Sequence, residues 1–177
     1  MSAEPVLVLR RDLTVAADHS QIYIYSADLP DGGLPFDDSN PFLDALTDAT
    51  ESDRFVGVTT GLVDLLTPGQ WNWTTPMRLE VWASEPAGDT ADWDHEVDVD
   101  LTVPDGRLWL EASGGGPTTE TEVPAGSYRM RVSGKGFAAV RLAGRDGSDS
   151  YRLQLWPTAT AREPLLRKRW PGWDTYQ

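Results

Sequence analysis

The sequence predicts an all-β fold, an antiparallel β-sandwich with one short helix and an extended C-terminal tail, from three observations. Short runs in which apolar and polar residues alternate recur along the 177 residues. Clusters of Gly, Pro, Asp and Ser separate them, and almost no stretch keeps the helical period. Side chains on a strand point alternately to opposite faces, so such runs build sheets with one buried face and one polar face. The chain divides into a sandwich domain, residues 1–157, and a basic, aromatic tail, residues 158–177.

The strand candidates, in order, are Pro5–Leu9, Leu13–Ala17, Gln21–Tyr25, Phe55–Thr60, Met77–Ala83, Trp93–Val103, Arg107–Glu111, Thr119–Val123, Ser127–Val132, Phe137–Leu142 and Tyr151–Trp156. Between the third and the fourth, Ser39 or Asn40 is suited to cap a helix that starts at Pro41. Phe42, Leu43, Ala45 and Leu46 would form its apolar stripe, with Asp44, Asp48 and Glu51 on the other side. Pro104-Asp105-Gly106 has turn chemistry that predicts a hairpin joining Trp93–Val103 to Arg107–Glu111. Pro124-Ala125-Gly126 precedes a strand in which Tyr128, Met130 and Val132 face inward and Arg129 and Arg131 face out. The tail carries +2, which leaves −15 on residues 1–157. Its aromatic end, Trp170-Pro171-Gly172-Trp173, suits an extended segment lying over the sandwich.

The chemistry concentrates in the strand at Trp93–Val103. Asp94, Glu96, Asp98 and Asp100 fall on one face, while His95, Val97, Val99 and Leu101 fall on the other. Four like charges in a row destabilise a face unless a cation relieves them. Arg129 and Arg131 on a neighbouring strand would do so inside the sheet, each cross-strand pair contributing about 0.2–1 kcal/mol. A basic protein docking from outside would also do so, and would gain rate and specificity from the complementarity. The protein-binding set on that second reading is Asp94, Glu96, Asp98 and Asp100, with Trp109 as an aromatic anchor beside them.

A net charge of −13 argues against nucleic acid as a direct ligand, because phosphates would be repelled. The absence of cysteine excludes disulfides, thiolate metal sites and a cysteine nucleophile. A calcium ion needs six to eight oxygens at about 2.3–2.6 Å, whereas alternate residues on a strand lie roughly 7 Å apart, so the ladder alone does not wrap one. Asp89, Asp92 and Asp94 in the preceding loop lack the glycine punctuation of a calcium loop. His19 and Ser20, neighbours on a strand, would point apart and make no nucleophile–base pair, so no catalytic residue, cofactor or metal is expected. The apolar run Val6–Leu9 is too short for a signal-peptide core and no segment approaches a membrane span, so a cytoplasmic protein is expected. Eight tryptophans support a rival reading, a carbohydrate- or small-ligand-binding sandwich in which Trp71, Trp73 and Trp109 stack on the ligand.

The order of several motifs resembles the competence protein J family. They are His19-Ser20-Gln21-Ile22-Tyr23-Ile24-Tyr25, Arg54-Phe55-Val56-Gly57-Val58, Arg78-Leu79-Glu80-Val81-Trp82, the charged strand ending at Val103, and Val123-Pro124-Ala125-Gly126-Ser127-Tyr128-Arg129. The resemblance spans roughly residues 12–156 and leaves out the tail and the segment with Trp71 and Trp73. It implies a β-sandwich that binds a protein, since that family contains an acidic inhibitor of a DNA-entry nuclease. A cleft that attracts phosphates also attracts carboxylates. The expectation is therefore an acidic, immunity-like inhibitor of a basic nuclease or toxin, and not an enzyme.

Overall fold

The computed structural model describes residues 4–26, 40–140 and 147–175. The strands are β1 (Leu7–Asp18), β2 (Gln21–Ser26), β3 (Val56–Thr59), β4 (Leu62–Leu66), β5 (Trp71–Trp82), β6 (His95–Val103), β7 (Arg107–Ala112), β8 (Thr118–Glu122), β9 (Gly126–Lys135), β10 (Ser150–Pro157) and β11 (Leu165–Lys168). One α-helix, α1 (Pro41–Glu51), and three short 3₁₀ helices complete the elements among the described residues. The all-β class is as the alternation predicts.

The strands run β11-β6-β9-β10-β5-β1 and then β2-β4-β3, with β7 on the other side of β2 and β8 beyond it. The path bends at the β1–β2 turn, where Asp18 pairs with Gln21 and His19 and Ser20 both take positive φ, 49° and 63°. These two residues are thus the tight corner of a hairpin, and Asp18 Oδ1 accepts from the His19 backbone at 2.7 Å. Beyond the corner the apolar sides of both halves meet. Val97, Val99, Met130, Leu153, Leu79 and Val15 from the first layer pack with Ile22, Ile24, Val63, Leu108 and Leu110 from the second in one core. Among the described residues every pairing is antiparallel except β5 with β10, which is parallel.

Four expectations are corrected. The Pro104-Asp105-Gly106 turn forms, with Gly106 at φ 78°, but it is not a hairpin. β6 pairs with β9 and β11, and β7 with β2 and β8. Each strand buries its apolar side in the same core from the opposite layer, so the turn carries the chain across the sandwich. The helix begins where predicted, with Asn40 Oδ1 accepting from Phe42 N at 3.0 Å and Leu43 N at 3.3 Å. Its buried stripe, however, is Ala45 and Ala49, while Leu43 is 58% exposed. The small stripe has a cause: the helix backbone lies so close to β3 that a Cβ on Gly57 would stand 1.7 Å from the Ala45 carbonyl oxygen. Pro5–Leu9 and Leu13–Ala17 are not two strands, because β1 runs through Arg10, Arg11 and Asp12 along β5. Phe137–Ala139, read as a strand start, is a 3₁₀ turn, and Leu142 lies outside the described residues.

Candidate functional site

The acidic strand is where folding brings most of the charge together. On β6, Val97, Val99, Leu101 and Val103 enter the core, which turns Glu96, Asp98 and Asp100 to the outer face of the first layer. Across the antiparallel pair, Glu96 lies opposite Ser133, Asp98 opposite Arg131 and Asp100 opposite Arg129. The cations of β9 thus stand in register with the acids of β6.

The face is also covered. Glu96 is 0% exposed and Arg131 1%. Arg131 forms a two-pronged pair with Asp98, at 2.8 and 3.1 Å, and reaches Glu85 at 3.0 Å. Burial alone would lower the Arg131 guanidinium pKa, and the hydrogen bonds and charge of Asp98 more than offset it, holding it above its ordinary value. Glu96 accepts from Ser133 at 2.8 Å and from Thr90 at 2.6 Å. Arg129 meets Asp100 at 2.8 Å and donates to the tail carbonyls of Arg162 and Glu163 at 3.2 and 3.0 Å. Asp94 stands apart from this row, half-buried, and accepts from the Phe137 backbone at 3.0 Å.

Two segments provide the cover. The connection from β5 to β6, residues 83–94, crosses the outer face as a strap. Glu85 holds Arg131, and Asp89 holds Arg152 through paired bonds of 2.7 and 2.5 Å. Those bonds keep Asp89 below the usual carboxylate range. The tail adds β11 to the free edge of β6 and brings Arg167 to Glu96 at 3.1 Å and to Asp98 at 3.3 Å. Beyond it, Trp173 stacks flat on Phe55, ring centroids 4.2 Å apart.

His95 fastens that end of the tail. Its Nε2 lies 2.6 Å from the Arg54 carbonyl oxygen and donates to it, which leaves Nδ1 to accept from Trp170 N at 3.2 Å and Trp173 Nε1 at 3.3 Å. Burial pushes the imidazole down to about 4, so the ring is neutral at physiological pH, as this bonding pattern requires.

Ion pairs buried in this way hold geometry more than they add stability. Removing one partner strands the other charge and costs about 3–5 kcal/mol, whereas replacing the whole pair with apolar groups is close to neutral. The ladder therefore acts as a joint in which strap, sheet and tail interlock.

Trp109 lies elsewhere. On β7 it faces outward from the second layer, half-buried, with its ring 5.7 Å from Tyr25 and the Arg107 guanidinium 5.2 Å from its centroid. The ladder and Trp109 occupy different layers because the turn between their strands crosses the sandwich. Of the eight tryptophans only Trp73, at 42%, is exposed, and its ring lies against Gly116. Trp71 and Trp109 are half-buried. Among the described residues no three acidic or histidine side chains group to hold a metal ion.

The backbone path is similar to that of solved structures. The chain has the fold of ComJ. The match to the crystal structure of ComJ from Bacillus subtilis, inhibitor of the DNA degrading activity of NucA, has a TM-score of 0.55 at 13% identity, covering 88% of this chain and 100% of that one. A second solved structure, crocagin biosynthetic gene J, matches with a TM-score of 0.55 at 18% identity over 84% of this chain and 97% of its own. No protein-family model matches the sequence, and no curated protein matches it. At these identities the likeness is one of fold, in agreement with the resemblance carried by the motif order.

Reading the strand alone leaves out half of the joint. Arg167, Trp170 and Trp173 come from the tail, and Glu85 and Asp89 from the strap. The available signal is the +2 tail set against −15 on the rest of the chain.

Proposed function

We propose that this protein is an inhibitory protein-binding module, immunity-like in role, whose partner is a basic nuclease or toxin. The observation that carries the reading is the fold shared with ComJ over 88% of the chain, since that protein inhibits a DNA-degrading partner. The charge supports it. Pairing inside the joint consumes the ladder but not the excess, and the net charge remains −13. Asp44 and Glu51 on α1 are exposed and make no ion pair among the described residues, and exposed Leu43 stands beside Asp44. Carboxylates around an apolar anchor suit docking to a cationic cleft, which such charges would steer and orient. Trp109, half-buried and outward-facing on the layer that carries α1, remains part of the proposed contact set, while Asp94, half-buried beside β9, stands on the other layer. Glu96, Asp98 and Asp100 support it from beneath by holding strap and tail in place.

The test is a DNA-degradation assay with a basic, DNA-entry-type nuclease titrated with this protein, alongside calorimetry at rising salt. Stoichiometric inhibition with an affinity that falls as salt rises is the expected result. Full nuclease activity at saturating protein, with no heat of binding, would overturn the reading.

A further inference from the structure

The first half of β1 is an open edge. From Leu7 to Thr14 the strand pairs with β5 on one side, and its pairing with β2 on the other is confined to Asp18 and Gln21. The Thr14 carbonyl oxygen accepts from Thr119 Oγ1 at 2.9 Å and is therefore turned away from β5. Main-chain groups alternate along an antiparallel pair, and the register is unbroken from Leu9 to Val15, so those of Arg10 and Asp12 are turned away as well. Val6, Leu7 and Val8, 61%, 42% and 57% exposed, add consecutive apolar surface beside this row. Such an edge is a template for a further strand.

Its charges say which strand. Leu9, Arg11 and Leu13 lie opposite Val81, Leu79 and Met77, all core residues, so Arg11 stands on the apolar side of the layer, exposed between two half-buried leucines. Its guanidinium meets the Arg10 carbonyl at 3.1 Å and makes no ion pair among the described residues. An inward charge of this kind discourages indiscriminate edge pairing. On the other face Arg10 and Arg78 share Asp12, at 3.2 and 3.1 Å, while Glu80 is buried and accepts from Trp82 and Gln154. The edge is thus short of carboxylates in a chain of net charge −13.

We propose that this edge takes up an extended acidic segment of a partner protein as an added strand, with a carboxylate opposite Arg11 and apolar side chains opposite Leu9 and Leu13. Main-chain bonds would hold the segment and the side chains would select it. A second copy of this chain fits less well, since it would bring its own Arg10 and Arg11 to the same edge and set −13 against −13. The site lies on the first layer, apart from the α1 face used above, and either reading stands if the other fails.

The test is NMR of the protein titrated with the capped heptapeptide Thr-Leu-Thr-Glu-Thr-Leu-Thr, which presents Leu, Glu and Leu on one face in either direction. The same peptide with Gln at its centre is the uncharged control. Saturable shifts centred on the amides of Leu7–Leu13, slower hydrogen exchange at Arg10 and Asp12, and binding about two- to fivefold weaker with the Gln peptide are expected. Arg11→Glu, at an exposed position that leaves the fold intact, should reverse the preference towards a peptide with Lys at its centre. No shift up to about 10 mM, shifts away from β1, or equal binding of the three peptides to both proteins would overturn the proposal. A dimer by sedimentation in which the same amides are already protected would overturn it too.

Discussion

Asp64 stands at the centre of β4 with 0% exposure, sealed under α1, and neither carboxylate oxygen has a hydrogen-bond partner among the described residues. It lies opposite Tyr23 on one side and Gly57 on the other. Burial raises its pKa from 3.8 to about 8. Below the unfolded value both states hold the proton, and the group has no effect on stability. As pH rises past that value the unfolded chain releases its proton while the folded chain keeps it, and stability falls by about 1.4 kcal/mol per pH unit until the folded carboxyl ionises. Near pH 7 the loss is about 4 kcal/mol. Asp64→Asn keeps the shape and the unpartnered polar atoms but removes the proton. The variant should therefore match the parent near pH 4 and exceed it by up to about 4 kcal/mol near pH 7, a shift of about 2 M in the urea midpoint. Urea unfolding of both proteins across that range measures the gap. A gap that does not widen with pH, or a variant weaker than the parent near neutrality, would refute the reasoning.

The remaining predictions concern the tail and the helix. Because the His95 pKa is lowered, its contribution is complete above 6.5 and is lost as pH falls towards about 4, about 3 kcal/mol in all. Proteolysis of the tail should accelerate over that window in the parent, and the dependence should be absent from His95→Gln, which cannot protonate. Gly57→Ala would drive a methyl group into the α1 backbone and should cost at least about 1–3 kcal/mol, read as a lower melting temperature with loss of helical circular dichroism.

Much of this architecture is legible in period-two alternation because most strands bury only one face. β4 escapes that reading: Leu62, Val63, Asp64, Leu65 and Leu66 are all buried, with the core on one side and α1 on the other, so nothing alternates. Turn chemistry locates the bend at Gly106 but says nothing about which layer the next strand joins, and so Trp109 is displaced from the ladder that it follows in sequence. The cations facing the acids on β9 follow from strand parity. Arg167 does not, because a partner 71 residues away is selected by tertiary closure, for which local pattern has no term. Asp28, Asp31, Asp37 and Asp38, which add to the net negative charge, lie outside the described residues.

The central claim is that the acidic ladder is relieved from within, and a double-mutant cycle on Asp98 and Arg131 tests it most directly. With Asp98→Leu, Arg131→Met and the double variant compared by urea unfolding, each single change should lose about 3–5 kcal/mol. The double variant should lose much less than the sum, giving a coupling of at least about 2 kcal/mol. Single losses within about 0.5 kcal/mol that simply add would mark an exposed, uncoupled ladder and would contradict the account.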